Sequence, residues 1–366
     1  MIDTIILESP EISEETADII SDVSVSRFGI DFEKNQILYR FTNKNLKGTY
    51  DSSIRISIKR DKWINVYCPN NKKYITEKQE CNPYLEIECS LHKFFLGHNI
   101  FGGSDNVKYQ VKKLVEFIND EFSIKLPDYN NFVIKRLDYA KVYNLGSNID
   151  SFFQGFNNVY YPRRKCIKYD NTGLYFPGTY TTLKLYNKYE EFKKHDKKKL
   201  RKVLQPKKLY QLEQKAKGLL RIELEVKARK LRHIYNKLPK LSEINISDIE
   251  NQFNQELKRI FKVGSDKMKI YNNTKEVEKV IKENFSSQKA NILLGTWYRL
   301  SIFGYDHVKN EMPKSTFYRH INDLKSVGVT WNHTDIQIKD NKVIKFVFNP
   351  LNTDLEIADD LISNVS

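Results

Sequence analysis

Four stretches of the chain alternate apolar and polar residues with a period of two, which puts one set on each face of a strand. In 84–88 Leu85 and Ile87 oppose Glu86 and Glu88, and in 133–139 Val133, Leu137 and Tyr139 oppose Arg136 and Asp138. In 181–188 Leu183 and Leu185 oppose Thr182, Lys184, Tyr186 and Lys188. In 220–226 Leu220, Ile222, Leu224 and Val226 oppose Arg221, Glu223 and Glu225. An oily back and a charged front, repeated four times, predict one antiparallel sheet with helices behind it. Runs at 4–7, 36–41, 54–58 and 63–67 also read as extended, with turns expected at 43–45 and 69–71. Val107, Val111, Leu114, Val115, Ile118 and Phe122 recur at helical spacing and predict a helix over about 106–122.

The last hundred or so residues change pattern. Helical runs at 246–263 and 275–284 read as a connection, and 289–303 as an apolar-rich helix broken at 304–306. A second helix follows Pro313, buries a stripe of Phe317, Ile321 and Leu324, and stops at Gly328. Extended runs at 335–338 and 343–348 flank a polar turn and read as a hairpin. Helix, turn, helix and hairpin is the order of a winged helix-turn-helix, on which Lys314, Ser315, Thr316, Tyr318 and Arg319 carry the chemistry of phosphate and base-edge contacts. The expected architecture is therefore α+β: a catalytic domain over about 1–240, a helical connector at 241–285, a winged-helix module at 286–350 and a tail at 351–366.

Composition narrows the class. The 366 residues carry 61 Lys and Arg against 46 Asp and Glu, a formal charge of +15, which favours a polyanionic partner. With 40% apolar and 13% aromatic residues the chain is not a disordered polyelectrolyte. No apolar run approaches the roughly 20 residues of a spanning helix, and the start lacks the pattern of a signal peptide, so a cytoplasmic protein without membrane contact is expected. The four cysteines form no C-x-x-C pair, which leaves no support for a zinc or redox motif. Two basic clusters stand out: 193–202, and Arg163, Arg164 and Lys165 after Tyr160 and Tyr161, a mixture suited to single-stranded nucleic acid.

The charged front has a chemistry of its own. Glu86, Asp138 and Glu223 offer hard oxygen ligands for Mg²⁺ or Mn²⁺. Tyr186 shares their face and could act as a nucleophile, with Lys188 favouring the phenolate and Lys184, Arg136 and Arg221 meeting DNA. Charged faces of half-buried strands also occur for solubility alone, and any one of 22 tyrosines is more often structural.

Several motifs weigh against that plainer reading. PYLEIECS at 83–90 and LGHNIFG at 96–102 resemble the replication initiators of filamentous phages and related plasmids, the phage gene II/X family. So do MIDT at 1–4, RLD at 136–138, TLKLYNK at 182–188, GLLRIE at 218–223, and GYD at 304–306 with MPKSTF at 312–317, all in the same order. The resemblance implies rolling-circle replication. One strand of an origin is nicked, the protein stays on the 5′ end, host polymerase extends the 3′-hydroxyl behind a host helicase, and the displaced strand is rejoined. The family's L-x-x-Y-x-K pattern places the nucleophile at Tyr186, and a divalent metal is expected. The His-hydrophobe-His pair of many nicking enzymes is absent, and His98 is the one histidine inside a motif, a candidate ligand or substrate contact. Two rivals stay open: an origin-binding or copy-control protein without catalysis, and a nuclease that activates water instead of tyrosine.

Overall fold

The computed structural model describes residues 1–22, 25–31, 36–47, 53–68, 73–101, 104–155, 161–169, 172–202, 204–261, 271–332, 334–336 and 350. The first half runs β1 (Ile2–Glu11), α1 (Glu14–Asp22), β2 (Val25–Asp31), β3 (Gln36–Lys47), β4 (Ser53–Cys68), β5 (Lys73–Ser90), α2 (Leu91–Leu96), α3 (Val107–Phe122), β6 (Val133–Asn144) and α4 (Ile149–Gly155). It continues through β7 (Ile167–Tyr169), β8 (Gly173–Phe176), β9 (Thr181–Asn187), α5 (Lys188–Glu191), α6 (Lys197–Leu200), α7 (Pro206–Ala216), β10 (Leu219–Lys227), α8 (Ala228–Tyr235) and α9 (Ile246–Phe261). The last described helices are α10 (Thr274–Asn284), α11 (Ser287–Phe303), α12 (Tyr305–Glu311) and α13 (Lys314–Ser326).

The strands form one sheet of order β2-β3-β4-β5-β1-β6-β10-β9-β8-β7. Its named neighbours pair antiparallel throughout. All four alternating stretches are strands of this sheet, as β5, β6, β9 and β10. The turn expected at 43–45 is absent because β3 stays paired with β4 through Lys47, while 69–71 lies outside the described residues.

The back face buries Ile5, Leu7, Ile56, Leu85, Ile87, Leu137, Leu183, Leu185, Ile222 and Leu224 against α1, α3, α4, α8 and α9. Removing such side chains from water contributes on the order of 1.5–3 kcal/mol each, so this layer sets the register of the sheet. Helices are not confined to that face. A smaller core of Ala140, Val142, Phe192, Leu200, Leu209, Leu212 and Ile100 covers one end of the charged front with α7 and the helical stretch from α5 to α6. Alternation alone could not reveal this cover, because Ala140 and Val142 continue the front-face row of Asp138 with apolar side chains.

Two glycines shape that end. Gly97 closes α2 in the left-handed region (φ 74°), turning the chain so that 98–101 folds down beside β1. Gly218 opens β10 at φ 73°, where a Cβ would lie 2.6 Å from the backbone of Gly146.

Two cores divide the later helices. Ile249, Phe253, Leu257 and Ile260 of α9 pack in the sheet's core, whereas Val277, Val280 and Ile281 of α10 pack with α11, α12 and α13 around Trp297. The stretch expected as a connector, 241–285, thus gives α9 to the sheet's core and α10 to the second core. The predicted stripe of Phe317, Ile321 and Leu324 is buried. The break at Gly304 is one residue long, and α12 begins at once. The hairpin that would complete a winged helix-turn-helix lies outside the described residues, apart from 335 and 336.

Candidate functional site

The site is built on the front face where β9, β10, β6 and β1 lie side by side. Pairing puts Arg221 beside Tyr186, Glu223 beside Lys184 and Glu225 beside Thr182 on one flank of β10. On the other flank Glu225 stands beside Asp138 and Glu223 beside Ala140. The Tyr186 hydroxyl donates to Glu223 Oε2 at 3.0 Å, and Lys184 Nζ donates to the other oxygen of that carboxylate at 2.8 Å. Burial pushes the phenol well above its ordinary pKa; Arg221 pulls it down and Glu223 pushes it further up. At rest Tyr186 is therefore a protonated phenol with an acceptor in contact.

Beneath it lies a buried polar chain. Arg221 is fully buried; its Nη2 pairs with Asp3 Oδ2 at 2.8 Å and its Nη1 donates to the Asn99 carbonyl at 2.8 Å. Its Nε lies 3.7 Å from Glu223 Oε2. Burial alone would raise the Asp3 carboxyl, but Arg221 and His92 hold it well below the usual carboxylate range. Asn99 donates to Asp3 Oδ2 at 3.2 Å and accepts from Lys188 Nζ at 2.6 Å. Lys188 is the first residue of α5 rather than the end of the strand, and its ammonium is fully buried against Glu191. Burial lowers its pKa, with Glu191 opposing. Nζ sits 5.9 Å from the centre of the Tyr186 ring, so Lys188 lies against the ring and not at the hydroxyl.

The four residues expected to hold a metal do not converge. Glu86 sits three strands from β10, tied to Lys135 at 3.0 Å and Lys59 at 3.5 Å. Asp138 is buried in a two-bond fork with Arg136 (2.8 and 2.6 Å). Burial pushes its carboxyl up to about 7, Arg136 pulls it back and Glu223 adds to the rise. His98 is buried beside Phe101, its Nδ1 accepts from Ile100 N at 3.4 Å, and burial followed by the charge of Lys188 brings it down to about 4. Glu223 alone of the four touches Tyr186. Among the described residues no group of three or more His, Cys, Asp or Glu side chains is arranged to hold a metal ion, because each of these carboxylates already faces its own cation. The expected metal set does not fit.

The front-face cations expected to meet DNA are likewise spoken for. Arg221 is sealed in the interior, Arg136 bridges Asp138 and Glu225, and Lys184 bridges Glu223 and Glu225. Arg164 and Tyr161 do not form an open single-strand surface, since Arg164 lies 4.7 Å over the Tyr161 ring and bonds to Thr181 and Glu256 inside the fold. Exposed Lys194 and Lys198 remain, with exposed His195 beside them, on the helical stretch that follows β9. On α13, Lys314, Ser315, Tyr318 and Arg319 are exposed and Thr316 is half-buried. Sequence reasoning misses Asp3 and Asn99 as site residues, although they lie inside the MIDT and LGHNIFG motifs. Their only signal is a polar residue beside an apolar run, which is weak without knowledge of what it faces. Tyr186 also lines a groove of about 260 Å³ that opens to solvent.

Comparisons with known proteins agree on a single kinship. The model of the N-terminal part of the phage gene II replication-associated protein matches residues 40–256. The replication-associated protein of Salmonella phage IKe is 27% identical over 308 residues, covering 72% of this chain and 72% of the relative. The protein of the same name from Enterobacteria phage M13 is 25% identical over 283 residues, covering 68% and 69%. No solved structure matches the chain.

Proposed function

The chain belongs to the gene II replication-associated protein family of filamentous phages, and from that premise we propose that it initiates rolling-circle replication by nicking one strand of an origin with Tyr186 as nucleophile. The observation that carries this reading is the 3.0 Å hydrogen bond from the Tyr186 hydroxyl to Glu223, beside a groove open to solvent.

A phenol held far above its ordinary pKa is a poor nucleophile, so its proton must leave as the bond to phosphorus forms. Glu223 accepts that proton as general base. The Tyr186 oxygen bonds to phosphorus, the bond from phosphorus to the 3′-oxygen breaks, and that oxygen takes a proton from solvent. A 5′-phosphotyrosine and a free 3′-hydroxyl result, and rejoining runs the same steps backwards. Arg221 and Asp3 hold Glu223 and Tyr186 in place from below. Extension and unwinding fall to a host polymerase and helicase, and α13 would grip duplex DNA beside the cut.

The test uses supercoiled DNA of the protein's own replicon. The purified protein should yield relaxed or nicked circles with protein on the 5′ end, and Tyr186→Phe should lose at least ~10⁴-fold in rate with an unchanged melting temperature. Nicking by Tyr186→Phe, or cleavage with no protein attached to the product, would overturn the reading.

A further inference from the structure

The groove beside Tyr186 has features that nicking does not itself require. Across three adjacent strands the pairing aligns Tyr169 of β7, Gly173 of β8 and Tyr186 of β9 in one row. The two tyrosines are thus two strand spacings apart, roughly 9.5 Å along the sheet, with a residue lacking a side chain between them. A Cβ at Gly173 would stand 3.5 Å from Tyr186 Cβ and 3.8 Å from Tyr169 Cδ2. Its backbone needs no left-handed conformation, so what the glycine supplies at this position is space. Tyr169 is 54% exposed, a large ring left in water at the rim. Lys194 and His195 line the far side, exposed and unpaired with any carboxylate among the described residues. The two acids on the same wall are neutralised, Glu190 by Lys193 and Glu191 by Lys188.

A flat aromatic face, a slot beside it and the free Lys194 cation at its edge match one nucleotide of a single strand: the base stacks and the phosphate meets the lysine. We propose that this groove is a nucleobase subsite, taking one base of single-stranded DNA, stacked on Tyr169, next to the phosphate that Tyr186 attacks. The place of that base in the reaction rests on the nicking reading; the binding of the base does not.

Fluorescence anisotropy with labelled oligo-dT, and with a strand of equal length whose sugars carry no bases, tests the subsite without any chemistry. The full-length protein should bind oligo-dT roughly 5- to 150-fold more tightly, the range expected for one stacked base. Tyr169→Ala should erase most of that preference and Tyr169→Trp should keep it. Gly173→Val, which fills the slot and keeps the Tyr169 side chain, should erase it too. Tyr210→Ala and Trp63→Ala, at exposed aromatics outside the groove, should leave it intact. Equal binding of the two strands by the wild type, or a preference that survives Tyr169→Ala or Gly173→Val, overturns the proposal. Nicking by Tyr186→Phe would instead sink the nucleophile and leave the subsite standing.

Discussion

Two cationic regions of this molecule, the sheet front and α13, use the same residue types in opposite ways. On the sheet front and at the start of α5 beside it, Arg221 and Lys188 are fully buried and Arg136 and Lys184 are locked between carboxylates. On α13, Lys314 and Arg319 stand in solvent with no ion pair to a carboxylate among the described residues. A buried cation is costly to desolvate and is retained only where a partner and a fixed geometry compensate it. An exposed one keeps its hydration and can give it up to a phosphate, releasing counterions in the exchange. The sheet cations are therefore parts of a scaffold around Tyr186, whereas the α13 cations, like Lys194 beside the groove, are not committed to a carboxylate among the described residues.

The largest effect expected of that scaffold is on rate. Glu223→Gln preserves the size of the side chain and can still accept a hydrogen bond from Tyr186, but it cannot take the proton. Nicking should fall by ~10²–10⁴-fold, the usual contribution of a general base, while binding of origin DNA changes little. Single-turnover nicking compared with gel-shift affinity checks the split. Equal losses in both would mean that Glu223 holds structure and not a proton.

Arg221→Met breaks the scaffold from beneath. It leaves Asp3 buried without its main cation, which costs on the order of 3–5 kcal/mol of stability by urea unfolding. Asp3→Asn added to Arg221→Met should recover part of that loss, because the unpaired charge is then gone and the two sites are coupled. If the double variant is as unstable as the sum of the singles, the pair is not the joint that the geometry suggests.

These residues also show what is legible in the sequence. The period-two pattern places Tyr186, Glu223, Arg221 and Asp138 on one face correctly, because strand geometry leaves no freedom about which face a residue takes. It cannot say how far apart strands lie in the sheet, so it groups Glu86 with Glu223, from which β1 and β6 separate it. It cannot show that 98–101 and the helices after β9 cover one end of that face, which turns Arg221 from a DNA contact into an interior ion pair. Nor can it find Asp3 and Asn99, since a polar residue beside an apolar run acquires meaning only from its partner. The helices of the C-terminal part are easier to read, because the stripe of Phe317, Ile321 and Leu324 depends on local spacing alone.

A smaller effect separates the covered end of the sheet by pH. His98 has a folded-state pKa of about 4 against an ordinary 6.5, brought down by burial and by Lys188. The unfolded chain then takes up a proton that the folded one refuses. Stability from this group is fully present above about pH 6.5 and is lost as pH falls toward 4, on the order of 3 kcal/mol in all. Urea midpoints measured across that window should show a drop that His98→Gln removes. A drop of equal size in the variant would assign it to other groups.

The smallest change in stability belongs to the exposed helix, where the expected signature is in salt dependence. Lys314→Ala with Arg319→Ala removes two exposed side chains with no ion pair to a carboxylate among the described residues, so stability should move by no more than the ~0.5 kcal/mol typical of surface positions. If both meet phosphates, duplex affinity should fall for every sequence tested, and the slope of log affinity against log salt should shrink by about 0.9 for each phosphate no longer neutralised. The sheet offers the contrast: Arg221→Met should cost stability and leave that slope unchanged. A salt slope altered equally by both sets of substitutions would erase the division between buried and exposed cations, and with it the assignment of α13 to the DNA.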